Sequence, residues 1–307
     1  MSTASWLKDE SLADLRPAGR TTPVTQQAFF LAPPPGFDGQ RFCLFHPAQG
    51  AVVRGAVLYV HPFAEEMNKS RRMAALQSRA FAAQGFAVLQ LDLLGCGDSA
   101  GDFGDASWAA WVADVRHGVA WLAARIDAPL WLWGLRAGCL LATAAATDLN
   151  PVPSMLFWQP PASGKLLLQQ FLRLKLAADM LGGQAKGAMA ALRSTLGEGG
   201  RVEVAGYSLT SALTDGLEQA TLMPMFGPTF TPAGAAPVVH WIELASHDEG
   251  AVVPPASAKT IAAWRAAGAQ VRDSVLAGPQ FWQTAELEEA PALLSASCAA
   301  MLREGSP

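Results

Sequence analysis

The chain has 307 residues, 51% hydrophobic and 16% charged, with a formal net charge of −4. Such a length suits one large α/β domain with an insertion, or two small domains, and the low charged share excludes a disordered or highly solvated chain. The charge balance gives no broad attraction to nucleic acid or anionic lipid.

The four cysteines, Cys43, Cys96, Cys139 and Cys298, form no C-x-x-C pair, so neither a zinc site nor a disulfide framework is expected. The stretch Met1–Glu10 has no basic region followed by an apolar one, and no signal peptide is read there. No apolar run approaches the roughly 18 residues of a membrane span. The expectation is a cytoplasmic protein with no transmembrane segment, no metal and no cofactor.

Residues 1–24 are polar and read as irregular. Ala28–Leu31 and Arg41–His46 read as strands around a Pro-Gly turn, and Ala56–Val60 as a buried central strand. A polar loop from His61 leads to a helix over Arg71–Ala83, which Gln84-Gly85 stops. Phe86–Leu91 is the next strand, and Asp92-Leu-Leu-Gly-Cys-Gly-Asp-Ser99 a glycine-rich turn. Trp108–Ile126 carries apolar residues at helical spacing. Leu130–Trp133 is a strand, Cys139–Ala146 a helix and Ser154–Trp158 a strand. Between them, Gly134-Leu-Arg-Ala-Gly138 makes a sharp turn. This alternation predicts a mostly parallel sheet with helices on both faces.

The alternation breaks over 160–232, where helices are read at Lys165–Leu181, Ala188–Leu196 and Thr210–Leu222. That segment is expected to be a helical lid, with 25–159 and 233–307 as the core. The sheet pattern resumes with strands at Val238–Leu244 and Gln270–Leu276, and helices at Ala256–Ala267 and Ala285–Arg303.

Strand, tight glycine turn and helix is the setting of a Gly-x-Ser-x-Gly nucleophile elbow. Here the tip residue is Arg136. Parallel sheets bind ligands at the carboxyl ends of their strands, so His61, Asp92 and Arg136 should converge there. At a helix N-terminus, a guanidinium beside free backbone N–H groups favours an anion. The competing role for Arg136 is an internal salt bridge to Glu65 or Glu66 in the facing loop, and the two roles are compatible.

The other candidates each have a plain structural reading. Asn68, Lys69, Arg71 and Arg72 extend a polar rim, or simply solvate a helix start. Cys139 and Cys96 could be substitute nucleophiles, but free cysteine is usually a small buried side chain. His247, beside Asp248 and Glu249, could be a base or an exposed loop residue. Trp158 and Trp282 could line a pocket or belong to an aromatic core.

With these residues in view, the chain resembles the α/β-hydrolase superfamily over nearly its whole length. Three blocks are similar to hydrolase 2 of the exosortase A system-associated group: His61-Pro-Phe-Ala-Glu-Glu-Met-Asn-Lys-Ser-Arg-Arg-Met73, Gly134-Leu-Arg-Ala-Gly-Cys139 and Gly278-Pro-Gln-Phe-Trp-Gln283. The resemblance implies an α/β-hydrolase fold in a protein of export and exopolysaccharide systems. It also implies a second hydrolase-fold protein as a possible partner. By the same resemblance Phe63 and Ala137 would supply oxyanion-type backbone N–H groups, and His61 and Cys139 would lie at the pocket. Arg136 stands at the nucleophile position, Gln280 at the histidine position, and Asp248 or Glu249 at the acid position. Arginine stays protonated and glutamine is no base, so a serine-type acyl-enzyme is unavailable at these positions.

Two functions follow. One is hydrolysis of an acyl, ester or peptide-like substrate by water that Glu65, Glu66, Asp248 or Glu249 activates, with Arg136 stabilising a developing anion. The other is a catalytically silent hydrolase fold that binds an anionic ligand or a partner protein. Nucleic acid is expected to be no partner.

Overall fold

The structure is a computed structural model and describes residues 25–180, 188–224, 236–247 and 252–304. The expected irregular segment 1–24 lies outside the described residues.

Strands β1 (Gln27–Leu31) and β2 (Arg41–His46) form an antiparallel hairpin. Then follow β3 (Gly55–Val60), α1 (Glu65–Ala83), β4 (Phe86–Leu91), α2 (Trp108–Ala123), β5 (Leu130–Leu135), α3 (Ala137–Ala146) and β6 (Ser154–Trp158). After β6 come α4 (Gly164–Met180), α5 (Ala188–Gly197), strands β7 (Val202–Val204) and β8 (Tyr207–Leu209), and α6 (Ser211–Gln219). The sheet resumes with β9 (Val238–Ala245), and α7 (Pro255–Ala266), β10 (Gln270–Ala277) and α8 (Pro291–Glu304) complete the chain.

Eight strands form one sheet in the order β1-β2-β4-β3-β5-β6-β9-β10. Pairing is antiparallel at β1/β2 and β2/β4 and parallel from β4 to β10. This is the expected mostly parallel sheet.

Its two faces read directly from strand alternation. Ala56, Leu58 and Val60 of β3, with Leu132 of β5, join one core with Trp111 and Val115 of α2, Leu140 of α3 and Trp264 of α7. Val57 and Tyr59, with Trp131, Trp133 and Leu135, join the other core with Met73 and Phe81 of α1 and Leu293 and Met301 of α8. Both faces of the central strands are covered, which is why they read as continuous apolar runs.

The largest differences from expectation are the starts of two helices, and both have physical reasons. Helix α1 begins at Glu65, six residues before Arg71, because its acidic first turn suits the positive end of the helix dipole. Helix α8 begins at Pro291, not Ala285, since proline is pre-shaped for the first helical turn. Within 160–232 the chain also forms the small β7/β8 hairpin, where only a lead into a helix was expected.

Candidate functional site

The turn after β5 is a tight elbow. Arg136 has φ 53° and ψ −120°, a conformation that L-residues adopt only under constraint. Its N–H donates to Trp158 O at 3.0 Å and its carbonyl accepts from Cys139 N at 2.9 Å, so both neighbours fix the tip. Both flanking glycines are required. A Cβ at Gly138 would lie 2.1 Å from Val60 O, and one at Gly134 2.7 Å from the Cys139 backbone.

After the adjacent strand β3 and a short loop from His61, a second sharp turn at Ala64 leads into α1. Glu65 and Glu66 are the first residues of that helix and line the same cavity as Arg136. Arg136 Nε donates to Glu66 Oε1 at 3.2 Å, with the two side chains 12% and 13% exposed. Its Nη1 and Nη2 make no hydrogen bond among the described residues and are not buried.

The pair borders a cavity of about 470 Å³. Glu65, Glu66, Lys69 and Arg136 supply its charged wall, with Gln170 and Gln283. Phe63, Trp282 and three residues of α4, Leu167, Phe171 and Leu174, supply the apolar one. The Arg136 guanidinium carbon lies 5.8 Å from the centroid of the Trp282 ring. Lys69 Nζ donates to Gln283 O at 3.3 Å, joining α1 to the loop after β10.

Burial pushes the Glu66 carboxyl up from 4.5 to about 7; Arg136 pulls against this and Glu65 adds to it. Burial also raises Glu65, with its own backbone N–H and Lys69 opposing. Oε2 of each glutamate is buried with no hydrogen-bond partner among the described residues.

The remaining sequence candidates fall in several places. The backbone N–H groups of Phe63 and Ala137 make no hydrogen bond among the described residues, and both residues border a small crevice beside the elbow. His61 does not line the cavity. Its Nδ1 contacts Pro62 O at 2.8 Å and its Nε2 accepts from Leu93 N at 3.4 Å, so it fixes the loop backbone. Burial lowers its pKa.

Cys139 and Trp158, expected at the pocket, are core residues instead. The Cys139 thiol is fully buried, donates to Trp158 O at 3.6 Å and is pushed well above 9 by burial. Burial likewise raises Cys96. Trp158 sends its indole N–H to Ser297 Oγ at 2.8 Å, beneath the sheet. Gln280 is exposed and borders a separate shallow depression with Ser246 and Thr284. His247 is exposed, and Asp248 and Glu249 lie outside the described residues.

Asp92 does not reach the cavity either. Its Oδ2 holds Arg71 Nη2 at 3.3 Å and the Asp98 N–H at 3.0 Å. The sequence reading missed Leu167, Gln170, Phe171, Leu174 and Gln283. The amphipathic pattern over Lys165–Leu181 was the available signal for the first four, but it does not say which face meets the elbow.

Among the residues that line the cavity there is no serine, cysteine, threonine or histidine. What converges is one guanidinium with a free edge, one ammonium, two carboxyl groups of raised pKa and an apolar wall.

The family model described as serine aminopeptidase, S33, matches residues 51–187, which carry β3 to α4 and the elbow. No curated protein matches the chain in sequence. Among solved structures, the chain is similar to Est1E from Butyrivibrio proteoclasticus with ferulic acid bound, at 14% identity and a TM-score of 0.62, over 87% of this chain and 96% of that one. It is also similar to a soluble variant of monoglyceride lipase from Saccharomyces cerevisiae in complex with a substrate analogue: 15% identity, TM-score 0.59, 94% of this chain and 98% of that one. A serine hydrolase without a lid from Xanthomonas campestris, XC6422, gives 18% identity and a TM-score of 0.53 over 93% and 97%. The chain has the α/β-hydrolase fold, with an arginine at the tip of the elbow after β5.

Proposed function

We propose that this protein binds an amphipathic, carboxylate-bearing ligand at the elbow and performs no serine-type acyl transfer. The observation that carries this reading is the Nη edge of Arg136, unpaired and bordering a 470 Å³ cavity whose other wall is apolar. A guanidinium edge of this kind takes a carboxylate by two parallel hydrogen bonds. The N-termini of α1 and α3 add two positive helix ends at the same place. Two of the similar structures hold organic ligands, ferulic acid in one and a substrate analogue in the other, which agrees with a small-molecule site.

Titration calorimetry with aryl and alkyl carboxylates, against alcohols of the same shape, tests the reading. Binding of the acids alone, lost in Arg136→Ala, is the expected result. Equal binding of acids and alcohols would remove the anion from the proposal.

A second reading is hydrolysis by water. It is favoured by Glu66, whose carboxyl titrates at about 7, where a general base works at neutral pH. The free N–H groups of Phe63 and Ala137 would receive a developing oxyanion. Turnover of an ester or thioester panel that disappears in Glu66→Gln supports this second reading.

The similarity of the 61–73, 134–139 and 278–283 blocks supports a setting beside an export or exopolysaccharide system, with a second hydrolase-fold protein as partner. Four free, buried cysteines fit a reducing compartment such as the cytoplasm. Among the described residues no helix is long and apolar enough to cross a membrane.

A further inference from the structure

We propose that the cavity takes up one proton with each carboxylate ligand, and that Glu66 holds that proton. This deepens the anion reading and rests on it.

The geometry gives one guanidinium two anions to serve. Arg136 already holds Glu66 Oε1 through Nε at 3.2 Å, which leaves its Nη edge for the ligand. The planar fork carries a single charge, delocalised over its nitrogens. A ligand carboxylate and an ionised Glu66 would share that one charge, between side chains that are mostly buried. Two like charges so close disfavour joint ionisation, and a proton on one of them removes the repulsion.

The surroundings give little other relief. On α1, Glu65 adds a negative charge and Lys69 a positive one, and the Lys69 Nζ donates to Gln283 O. Helix α4 and the loop after β10 line the cavity with Leu167, Gln170, Phe171, Leu174, Trp282 and Gln283, none of them ionisable. The Tyr59 hydroxyl of β3 feels Glu66 as well, but burial pushes it well above its usual 10 and keeps it neutral.

The charge count leads to one proton. Among the described residues, Arg136 and Lys69 balance Glu65 and Glu66 on the cavity wall. One carboxylate adds a negative charge, and one proton restores the balance. Of the two glutamates, Glu66 is the one that shares the guanidinium with the ligand. Its carboxyl titrates at about 7, so the proton is within reach at neutral pH. The ligand binds best to the protonated fraction of Glu66, and apparent affinity falls with that fraction.

The test titrates 3-phenylpropanoate, which stays ionised from pH 6 to pH 8, into the full chain. Wild type should bind it about tenfold more weakly at pH 8 than at pH 6. Calorimetry at pH 8 in two buffers of different ionisation heat should find close to one proton taken up per ligand. Glu66→Gln should bind equally at both pH values and take up no proton, whereas Glu65→Gln should keep the fall of affinity with pH. Thermal melts check that each variant folds, and wild-type proton uptake decides the matter if Glu66→Gln does not.

Equal binding at pH 6 and pH 8 without proton uptake in wild type overturns the proposal and leaves the anion reading standing. So does a pH dependence that survives Glu66→Gln. No binding at either pH, in wild type and in Glu66→Gln, overturns the anion reading as well.

Discussion

Ala64 and Arg136 share one backbone conformation: φ 52°, ψ −128° at the first and φ 53°, ψ −120° at the second. They follow the adjacent strands β3 and β5, Ala64 after the short loop from His61 and Arg136 directly, and each opens a helix. Each is closed by the same bond, Met67 N to Ala64 O at 3.1 Å and Cys139 N to Arg136 O at 2.9 Å. Two matching elbows thus aim two helix N-termini at one cavity, which is why the glutamates of one helix meet the arginine before the other.

The matched conformation predicts that Ala64→Gly stabilises the fold. Glycine adopts positive φ without a Cβ clash, and the relief is on the order of 1 kcal/mol, less what unfolded glycine gains in freedom. Chemical denaturation should show a small gain or no change. A loss above about 1 kcal/mol would mean that the Ala64 methyl, buried in the core, contributes more than the turn costs.

Gly138→Ala should do the opposite. Its Cβ would meet Val60 O at 2.1 Å and Val60 C at 2.9 Å, both backbone atoms of a central strand. Neither can yield without moving β3, so a loss above about 3 kcal/mol, or no folded protein, is expected in urea titration.

How far this architecture could be read from sequence depended on what carries the signal. Strands β4 and β6 match the expected strands residue for residue, because a doubly covered strand leaves a largely apolar stretch, and β2 matches through its alternation. The β7/β8 hairpin was missed because its two-residue turn is Ala205-Gly206, with φ 49° and 84°. Such turns are usually announced by Asn-Gly or Asp-Gly, and alanine gives no such notice. At the site, Arg136 and the two glutamates were legible from their places beside strand ends. That Glu66 makes the pair, and that Trp282 borders the cavity while Trp158 lies beneath the sheet, depends on tertiary packing. Local pattern cannot report it.

Glu66 predicts a pH dependence. Its folded carboxyl titrates at about 7, above its usual 4.5. Between those values the folded state holds a proton that the unfolded state has released, so stability falls as pH rises through this window and levels off above it. Glu66→Gln removes the titration. The stability difference between wild type and variant should move in the variant's favour by up to roughly 3 kcal/mol from pH 4 to pH 8. A difference that stays constant with pH would refute the burial of an ionisable Glu66.

Arg41 and Asp114 form a wholly buried ion pair, Nε to Oδ1 at 2.7 Å, and Asp114 Oδ2 also accepts from Leu94 N at 2.8 Å. This pair ties β2 and the turn after β4 to α2. Asp114→Ala strands the Arg41 charge and should cost about 3–5 kcal/mol, whereas the double replacement Arg41→Met with Asp114→Leu should cost distinctly less. A double-mutant cycle in denaturant measures the coupling, and additive losses would show that the two charges act independently.

Placing a serine at the elbow should not by itself create a serine hydrolase. In Arg136→Ser the introduced hydroxyl needs a base, and no histidine borders the cavity among the described residues. His61 is committed to Pro62 O and to the Leu93 N–H. Glu66 is the nearest proton acceptor, but Arg136 is what pulls its pKa down against burial. Removing the arginine takes away the larger of the two opposing charges and leaves only Lys69 against burial, so Glu66 climbs above about 7 and is protonated at neutral pH. Fluorophosphonate labelling at pH 7 should therefore stay at background in this variant. Raising the pH to 9 should release the proton and permit slow labelling, which Glu66→Gln in the same background abolishes. Fast labelling at pH 7 would show that another base reaches the elbow.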